Sequence, residues 1–270
     1  MGVITISRGS YSMGKAVAEK VAEQLGYDVV SRDLLLSASE RFHVPEIRLV
    51  RAIHDAPGIL ARLRHNKQSY LAFIQAALTE RVCQDNVVYH GLAGHLLLWQ
   101  IPGVLKVRIT ADLETRVVNE MQREGISAQE AREIIMEDDH QRRKWTQSLH
   151  GFDPWDSNLY DLVIRIDRLT VDDAADFICR AAQRDGFRTS EKLLQTMKDL
   201  ALASRIKAEL VENFPALGVK SEYGNVIIYT KDKGHAGTAL HKRLEAIRKT
   251  ADDIYNLEVH SVKSIPREAV

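Results

Sequence analysis

The chain has 270 residues, 45% hydrophobic and 27% charged, which is enough apolar material for one large or two modest cores. Lys and Arg number 37 and so do Asp and Glu, so the formal net charge is zero and the global charge gives no reason to expect a nucleic-acid partner. Two cysteines, Cys83 and Cys179, with no CxxC pair, exclude a disulfide framework or a cysteine zinc cage and read as small buried thiols of a reducing compartment.

Met1-Gly2-Val3-Ile4 runs straight into a strand-like stretch without a basic leader. The most apolar window, Leu96 to Leu105, is broken by Gln100, Pro102 and Gly103 and is too short to span a bilayer, so a cytoplasmic protein is expected. Val3 to Ile6 is a β-branched run that ends at Ser7-Arg8-Gly9-Ser10, a buried strand followed by a loop. From Lys15 the period changes: Val17, Val21 and Leu25 recur every four residues beside Ala18 and Ala22, one apolar helix face that Gly26 stops. Tyr27 to Val30 resumes a strand, so the opening is strand–loop–helix–strand, the start of a parallel α/β sheet.

Residues 33 to 82 carry helical spacing with breaks at Pro45 and Pro57-Gly58. Asn86 to Tyr89 and Val104 to Ile109 read as strands, and Asp112 as the N-cap of a helix that carries Leu113, Val117, Val118 and Met121 and ends at Gly125. Ser127 and Glu130 form a capping-box pattern ahead of Ile134, Ile135 and Met136, and the charge-dense stretch Glu137 to Arg143 follows. Gly151 to Trp155 is a loop, Tyr160 to Ile166 a strand, and Thr170 with Asp173 caps a closing helix through Ala182. Composition shifts at Arg184-Asp185-Gly186, the expected boundary of a domain covering 1–185. Beyond it the pattern is αββαβ: helix 190–211, strand 219–223, turn Gly224-Asn225, strand 226–229, helix 236–251 and strand 257–262.

The segment Gly9-Ser10-Tyr11-Ser12-Met13-Gly14-Lys15-Ala16 has the spacing G-x-x-x-x-G-K after a strand and at the start of a helix. Main-chain amides in such a turn, a helix N-terminus and an ammonium group converge on phosphate. Ala16 stands where a Ser or Thr hydroxyl would ligate Mg²⁺, so the metal is either held by waters, phosphates and a carboxylate elsewhere or the site turns nucleotide over poorly. His90 and His95 sit at the end of a parallel strand, where ligands bind in open α/β sheets, and read as pocket residues or as loop histidines. They are too few for a metal site, and none is expected from them.

The stretches ITISRGSYSMGKAVAEKVAEQLG, VVSRDLL, VVYHGLAGHLLL, VLKVRITADLETRVVNEMQREGISAQEARE, EDDHQRRKW and NLYDLVIRID follow one another in the order and spacing of the cytidylate-kinase-like P-loop family. The chain resembles that family over 1–185. The resemblance implies a nucleoside-monophosphate-kinase-like parallel sheet flanked by helices, use of ATP and Mg²⁺, and phosphoryl transfer to a nucleoside monophosphate or a similar small acceptor. It implies that Gly9, Ser10, Tyr11, Ser12, Met13, Gly14, Lys15 and Ala16 bind nucleotide and that Ser31, Arg32 and Asp33 contact the acceptor. It also places Arg123, Asp139, Arg142 and Arg143 in a lid whose arginines clamp phosphates, Arg123 toward the acceptor. Read as charge alone, the Arg142-Arg143-Lys144 run is a solvated face. Cytidylate kinases of the family carry an Arg-Asp pair in the strand-end loop where this chain has Gly91-Leu92, which puts CMP in doubt as the acceptor.

Residues 198–264 resemble a BON domain, reached through a linker at 186–197. Lys231, Lys233, His235, His241, Lys242, Arg243, Arg248 and Lys249 give it a basic side, which suits an anionic ligand or protein partner or is a solvated helix face. The expected activity is an ATP-dependent small-molecule kinase with Lys15, Asp139, Arg142 and Arg143 as catalytic residues. The rival is a nucleotide-sensing module of weak or no activity coupled to the C-terminal domain, which Ala16 and the missing Arg-Asp pair motivate.

Overall fold

The computed structural model describes residues 2–9, 12–43, 64–91, 93–231 and 237–270. Pro45, Pro57 and Gly58, read above as helix breaks, lie outside them, as do Ser10 and Tyr11 of the glycine loop. The described elements are β1 (Val3–Arg8), α1 (Gly14–Leu25), β2 (Asp28–Val30), α2 (Arg32–Phe42), α3 (Arg64–Val82), β3 (Val87–His90), α4 (Gly94–Leu97), β4 (Val104–Thr110), α5 (Leu113–Glu124) and α6 (Ala128–His150). Then come β5 (Leu162–Arg165), α7 (Val171–Ala182), α8 (Glu191–Leu210), β6 (Gly218–Glu222), β7 (Asn225–Thr230), α9 (Gly237–Thr250) and β8 (Asn256–Ser261).

The chain divides into two compact units. Among the described residues the first comprises 2–9, 12–33, 84–91 and 93–189, the second 34–43, 64–83, 190–231 and 237–270.

In the first unit five strands pair in the order β2-β3-β1-β4-β5, and every pair is parallel. A parallel sheet needs helices on both faces, and its inner strands are apolar throughout for that reason. Val87, Val88 and Tyr89 of β3 are all buried, as are Val3, Ile4 and Ile6 of β1. On one face Val17, Ala18 and Val21 of α1 pack with Ala174, Ala175 and Ile178 of α7 over Ile4, Ile6, Leu105 and Val107. Each fully buried Val or Ile contributes about 2 kcal/mol relative to exposure. Central β1 lies between β3 and β4, with Ile6 opposite His90 and Arg8 opposite Ile109. Gly9, which follows Arg8, therefore sits at the C-terminal edge of the sheet, where open α/β folds place their ligands.

Several local expectations hold. Gly26 and Gly125 end their helices in the left-handed conformation, and so does Gly151, read above only as the start of a loop. Ser127 accepts from the Glu130 amide, and Thr170 with Asp173 makes a full capping box. Others are corrected. Asp112 stands at the N-cap of α5 but makes no capping bond, because its carboxylate pairs with Arg165 of the neighbouring strand. The charge-dense stretch after Met136 is the continuation of one 23-residue helix, α6, which folds back on α5 around Val117, Ala131 and Ile135.

In the second unit, β6 and β7 pair antiparallel and β7 and β8 parallel. Leu202, Ile206 and Leu210 of α8 and Leu240, Leu244 and Ile247 of α9 bury Val219, Val226 and Ile228 on one face of this sheet. The hairpin turn is Tyr223-Gly224, both at positive φ, one residue earlier than the Gly224-Asn225 read from the sequence. Positive φ at both central residues is what a two-residue hairpin needs to match strand twist. Val270 exchanges two backbone bonds with Val219, tying down the C-terminus. Phe42 of α2 stacks on Phe73 of α3, with ring centroids 4.4 Å apart. Residues 191–197 are the first turns of α8, with Leu193 and Met197 buried. Among the described residues no helix is long and apolar enough to cross a membrane.

Candidate active site

The turn after β1 is fixed by side chains and backbone together. The Gly9 amide donates to the Ile109 carbonyl at 3.0 Å, tying the turn to β4. Ser12 is fully buried, and its hydroxyl lies 2.9 Å from the Gly9 carbonyl and 3.1 Å from that of Ile109, holding the loop closed from inside. Met13 then takes φ 62° at the N-cap of α1 and supplies no side-chain oxygen to the first turn. No acidic residue stands in that turn either. The first amides of any helix lack intrahelical acceptors and carry the positive end of its dipole, so the start of α1 turns that positive end to the edge of the sheet.

Cations reinforce it. The stem of Arg8 crosses the start of the helix: a Cβ on Gly14 would stand 2.8 Å from Arg8 Cβ and 3.1 Å from its Cδ. Gly14 is thus required by the close passage of Arg8. Lys15 extends into solvent, with Glu19 3.6 Å away on the same helix. Arg142 reaches in from α6 and lines a small cleft with Ser7, Arg8, Gly9 and Ala93. His95, Arg108, Asp139 and Trp155 border the same cleft.

The remaining lid residues separate. Asp139 is bound to Arg116 at 2.6 Å in a half-buried pair, so its carboxylate orients Arg116. Arg143 turns to Asp153, whose carboxyl it holds below the usual carboxylate range, and lies 4.7 Å over the Trp155 ring. Arg123 is engaged by Glu120 and Glu124 at the end of α5 and does not border the cleft. Of the three lid arginines named from the sequence, only Arg142 borders the cleft.

At the end of β2 the Ser31 amide donates to Asp33 Oδ1 at 2.7 Å. The carboxylate of Asp33 thereby fixes the entry into α2, and the Arg32 side chain lies outside the described residues. His95 is buried against Tyr160, its Nε2 3.3 Å from the phenol oxygen, which itself donates to the Pro154 carbonyl. Arg108 donates to the same carbonyl at 2.8 Å. His90, at the end of β3, is 7% exposed, and its Nε2 has no hydrogen-bond partner among the described residues. Burial, with Arg8, Lys15 and Arg142 nearby, pushes its pKa down to about 4.

Reading the sequence missed Arg8, Arg108, Arg116 and Tyr89. Arg8 stands immediately before the loop motif, next to Gly9, and that place at the end of the strand was the available signal. Tyr89 decides the strand-end loop. Its buried ring lies where a Cβ on Gly91 or Gly94 would go, 2.6 Å from the Tyr89 Cζ and Cε1 atoms respectively. Burial and the charge of Asp33 raise the Tyr89 pKa and keep the phenol neutral.

A glycine turn from the central strand of a parallel sheet into a helix, with a helical hairpin placing an arginine over it, defines a P-loop kinase of small molecules. Residues 3–168 match the model of the cytidylate kinase-like family, and the chain belongs to that family. The cytidylate kinase of Pyrobaculum aerophilum is 29% identical over 201 residues, covering 72% of this chain and 100% of that one. The cytidylate kinase of Pyrococcus horikoshii is 30% identical over 167 residues, 60% of this chain and 78% of its own. The crystal structure of an uncharacterized protein from Eubacterium ventriosum matches with a TM-score of 0.53 at 21% identity, over 68% of this chain and 100% of that one, a likeness of fold.

Proposed function

We propose that the protein transfers the γ-phosphoryl group of ATP to a nucleoside monophosphate or a similar small acceptor. The carrying observation is the start of α1, with no acid in its first turn, Arg8 laid across it and Arg142 brought to the same cleft. Phosphoryl transfer demands positioning and positive charge more than covalent help. The amides of Gly14, Lys15 and Ala16 and the Lys15 ammonium bind the β- and γ-phosphates, and Arg142 neutralises charge on the group in transit. Ser31 and Asp33, at the C-terminal end of β2, stand on the acceptor side.

Magnesium supplies charge neutralisation in this chemistry. Ala16 has no oxygen, the Ser12 hydroxyl is spent on two carbonyls, and no group of three His, Cys, Asp or Glu gathers among the described residues. An ion that accompanies ATP would then be held by phosphates, waters and a carboxylate elsewhere in the chain, not by residue 16.

By the family resemblance Gly91 and Leu92 stand in sequence where cytidylate kinases carry an Arg-Asp pair, and the Tyr89 ring packs against Gly91, which speaks against CMP as the acceptor. The order α8-β6-β7-α9-β8 supports reading the C-terminal elements as a BON-like ligand-binding module. The purified chain is to be incubated with ATP, Mg²⁺ and a panel of nucleosides and nucleoside monophosphates. ADP formation with one acceptor class, lost in Lys15→Ala, supports the reading. No ADP above the Lys15→Ala background with any acceptor overturns it.

A further inference from the structure

The sheet of the second unit has two edges, and they differ. At the β6 edge Val219 and Val270 exchange two backbone bonds, so the C-terminal residue covers it. The β8 edge has no such cover. The Val262 amide donates to the Thr230 carbonyl of β7 at 2.8 Å, and main-chain groups of successive residues alternate in direction along a strand. Those of Glu258 and His260 therefore also face β7, while those of Leu257, Val259 and Ser261 point outward. Among the described residues nothing hydrogen-bonds to these outward groups. Bare edges are usually blunted by lysine, proline or a bulge. Asn256–Ser261 contains neither residue, and its pairing with β7 runs unbroken from Asn225↔Asn256 to Thr230↔Ser261. On the face turned to the helices Leu257 and Val259 are only half-buried. On the other face Glu258 and His260 are exposed, with His260 Nε2 2.8 Å from the carboxylate.

We propose that β8 is a self-association edge: a second copy of the chain lays its own β8 antiparallel along this one, about a two-fold axis at Val259, and joins the two three-stranded sheets into one.

The side chains select both the occupant and the register. When a strand pairs with itself about a two-fold axis, residues that share a face stand opposite one another. A centre at Glu258 sets carboxylate against carboxylate. A centre at His260 sets imidazole against imidazole and leaves Glu258 opposite Val262. A centre at Val259 sets Glu258 of each copy opposite His260 of the other, twice by symmetry. Like charges directly opposite destabilise a strand pair, and complementary groups stabilise it. The main chain agrees with that choice. Val259 meets Val259, and Leu257 meets Ser261, all with outward amides and carbonyls, so each of these pairs exchanges two hydrogen bonds. Glu258 and His260 then fall at the non-hydrogen-bonded positions, where facing side chains come closest. The half-buried Val259 side chain gains an apolar neighbour on the helix face. The edge thus carries a pattern complementary to itself, which a second copy satisfies.

The test is sedimentation equilibrium of the full chain at concentrations up to about 0.5 mM, since a contact of one strand on another makes a small and weak interface. A monomer–dimer equilibrium is expected. Val259→Pro removes the outward amide at the axis and no bond to β7, a change that edge strands tolerate, and should weaken the dimer by about tenfold or more. Glu258→Lys alone and His260→Glu alone should each weaken it by about tenfold. Mixed in equal amounts, these two variants should associate with each other, because the lysine of one then lies opposite the glutamate of the other. Both alter exposed side chains, so the mixing experiment stands even if Val259→Pro fails to fold. A chain that stays monomeric at every concentration overturns the proposal. So does a dimer that none of the three substitutions weakens, or a mixture of the two charge variants that associates no better than either alone.

Discussion

Arg8 and Gly14 fix each other: a Cβ at position 14 would stand 2.8 Å from Arg8 Cβ, so the arginine stem crosses the start of α1 only because residue 14 has no side chain. Gly14→Ala should therefore displace Arg8 and weaken ATP binding by about tenfold or more. Helix content should change little, since alanine favours the helix by up to about 1 kcal/mol over glycine. Calorimetry with ATP and far-UV circular dichroism together check this, and unchanged affinity would show that the Arg8 stem has room to move.

The Tyr89 ring and Gly94 make a second contact of this kind. A Cβ on Gly94 would meet Tyr89 Cε1 at 2.6 Å and Thr5 Cγ2 at 3.3 Å, all within the buried core. Gly94→Ala should cost ~1–3 kcal/mol by overpacking. The same change made beside Tyr89→Leu should cost clearly less, a coupling that a double-mutant cycle in urea unfolding would read. Equal costs in both backgrounds would show that the ring is not the obstacle.

Stability should fall in mild acid. The His90 pKa is lowered to about 4 from an ordinary 6.5, so between these values the unfolded chain binds a proton that the native chain does not. Stability from this group is complete above about pH 6.5 and declines as pH falls toward 4, by ~3 kcal/mol in all. Urea unfolding from pH 7.5 to 4.5 should show the slope in the native chain and a shallower one in His90→Gln.

Lys207 gives the opposite end of the pH scale. Its ammonium donates to the carbonyls of Pro215, at 3.2 Å, and Leu217, and burial lowers its pKa to about 8. The unfolded chain holds its proton up to about 10.5, so stability from this group should rise as pH goes from 8 to 10.5. Lys207→Met removes the donor from two carbonyls and should cost ~1–3 kcal/mol at pH 7. It should also abolish that alkaline gain, as thermal unfolding at pH 7 and pH 9.5 would report.

Much of this architecture was legible in the chain itself. The strand–glycine turn–helix opening, the capping residues Ser127 and Thr170, the stop glycines Gly26 and Gly125 and the αββαβ ending follow from local rules. Backbone propensity, side-chain caps and hydrophobic period act within about four residues, so a linear reading captures them. The hairpin turn was placed one residue late because Tyr223 adopts positive φ, which propensity alone assigns to Gly or Asn.

What tertiary structure decided was which charges meet. Arg123, Asp139, Arg142 and Arg143 looked like one lid cluster, yet Glu120 and Asp153 claim Arg123 and Arg143, and of the three arginines Arg142 alone borders the cleft, beside the Arg116-bound Asp139. Likewise Ser12 closes on Ile109, 97 residues away, and the charges of Arg8, Lys15 and Arg142, far apart in sequence, all disfavour a proton on His90. Partners so distant in sequence are chosen by the parallel register and the packing of α6 on α5. Short-range rules write the elements; long-range geometry alone sets the field in which a phosphate would bind.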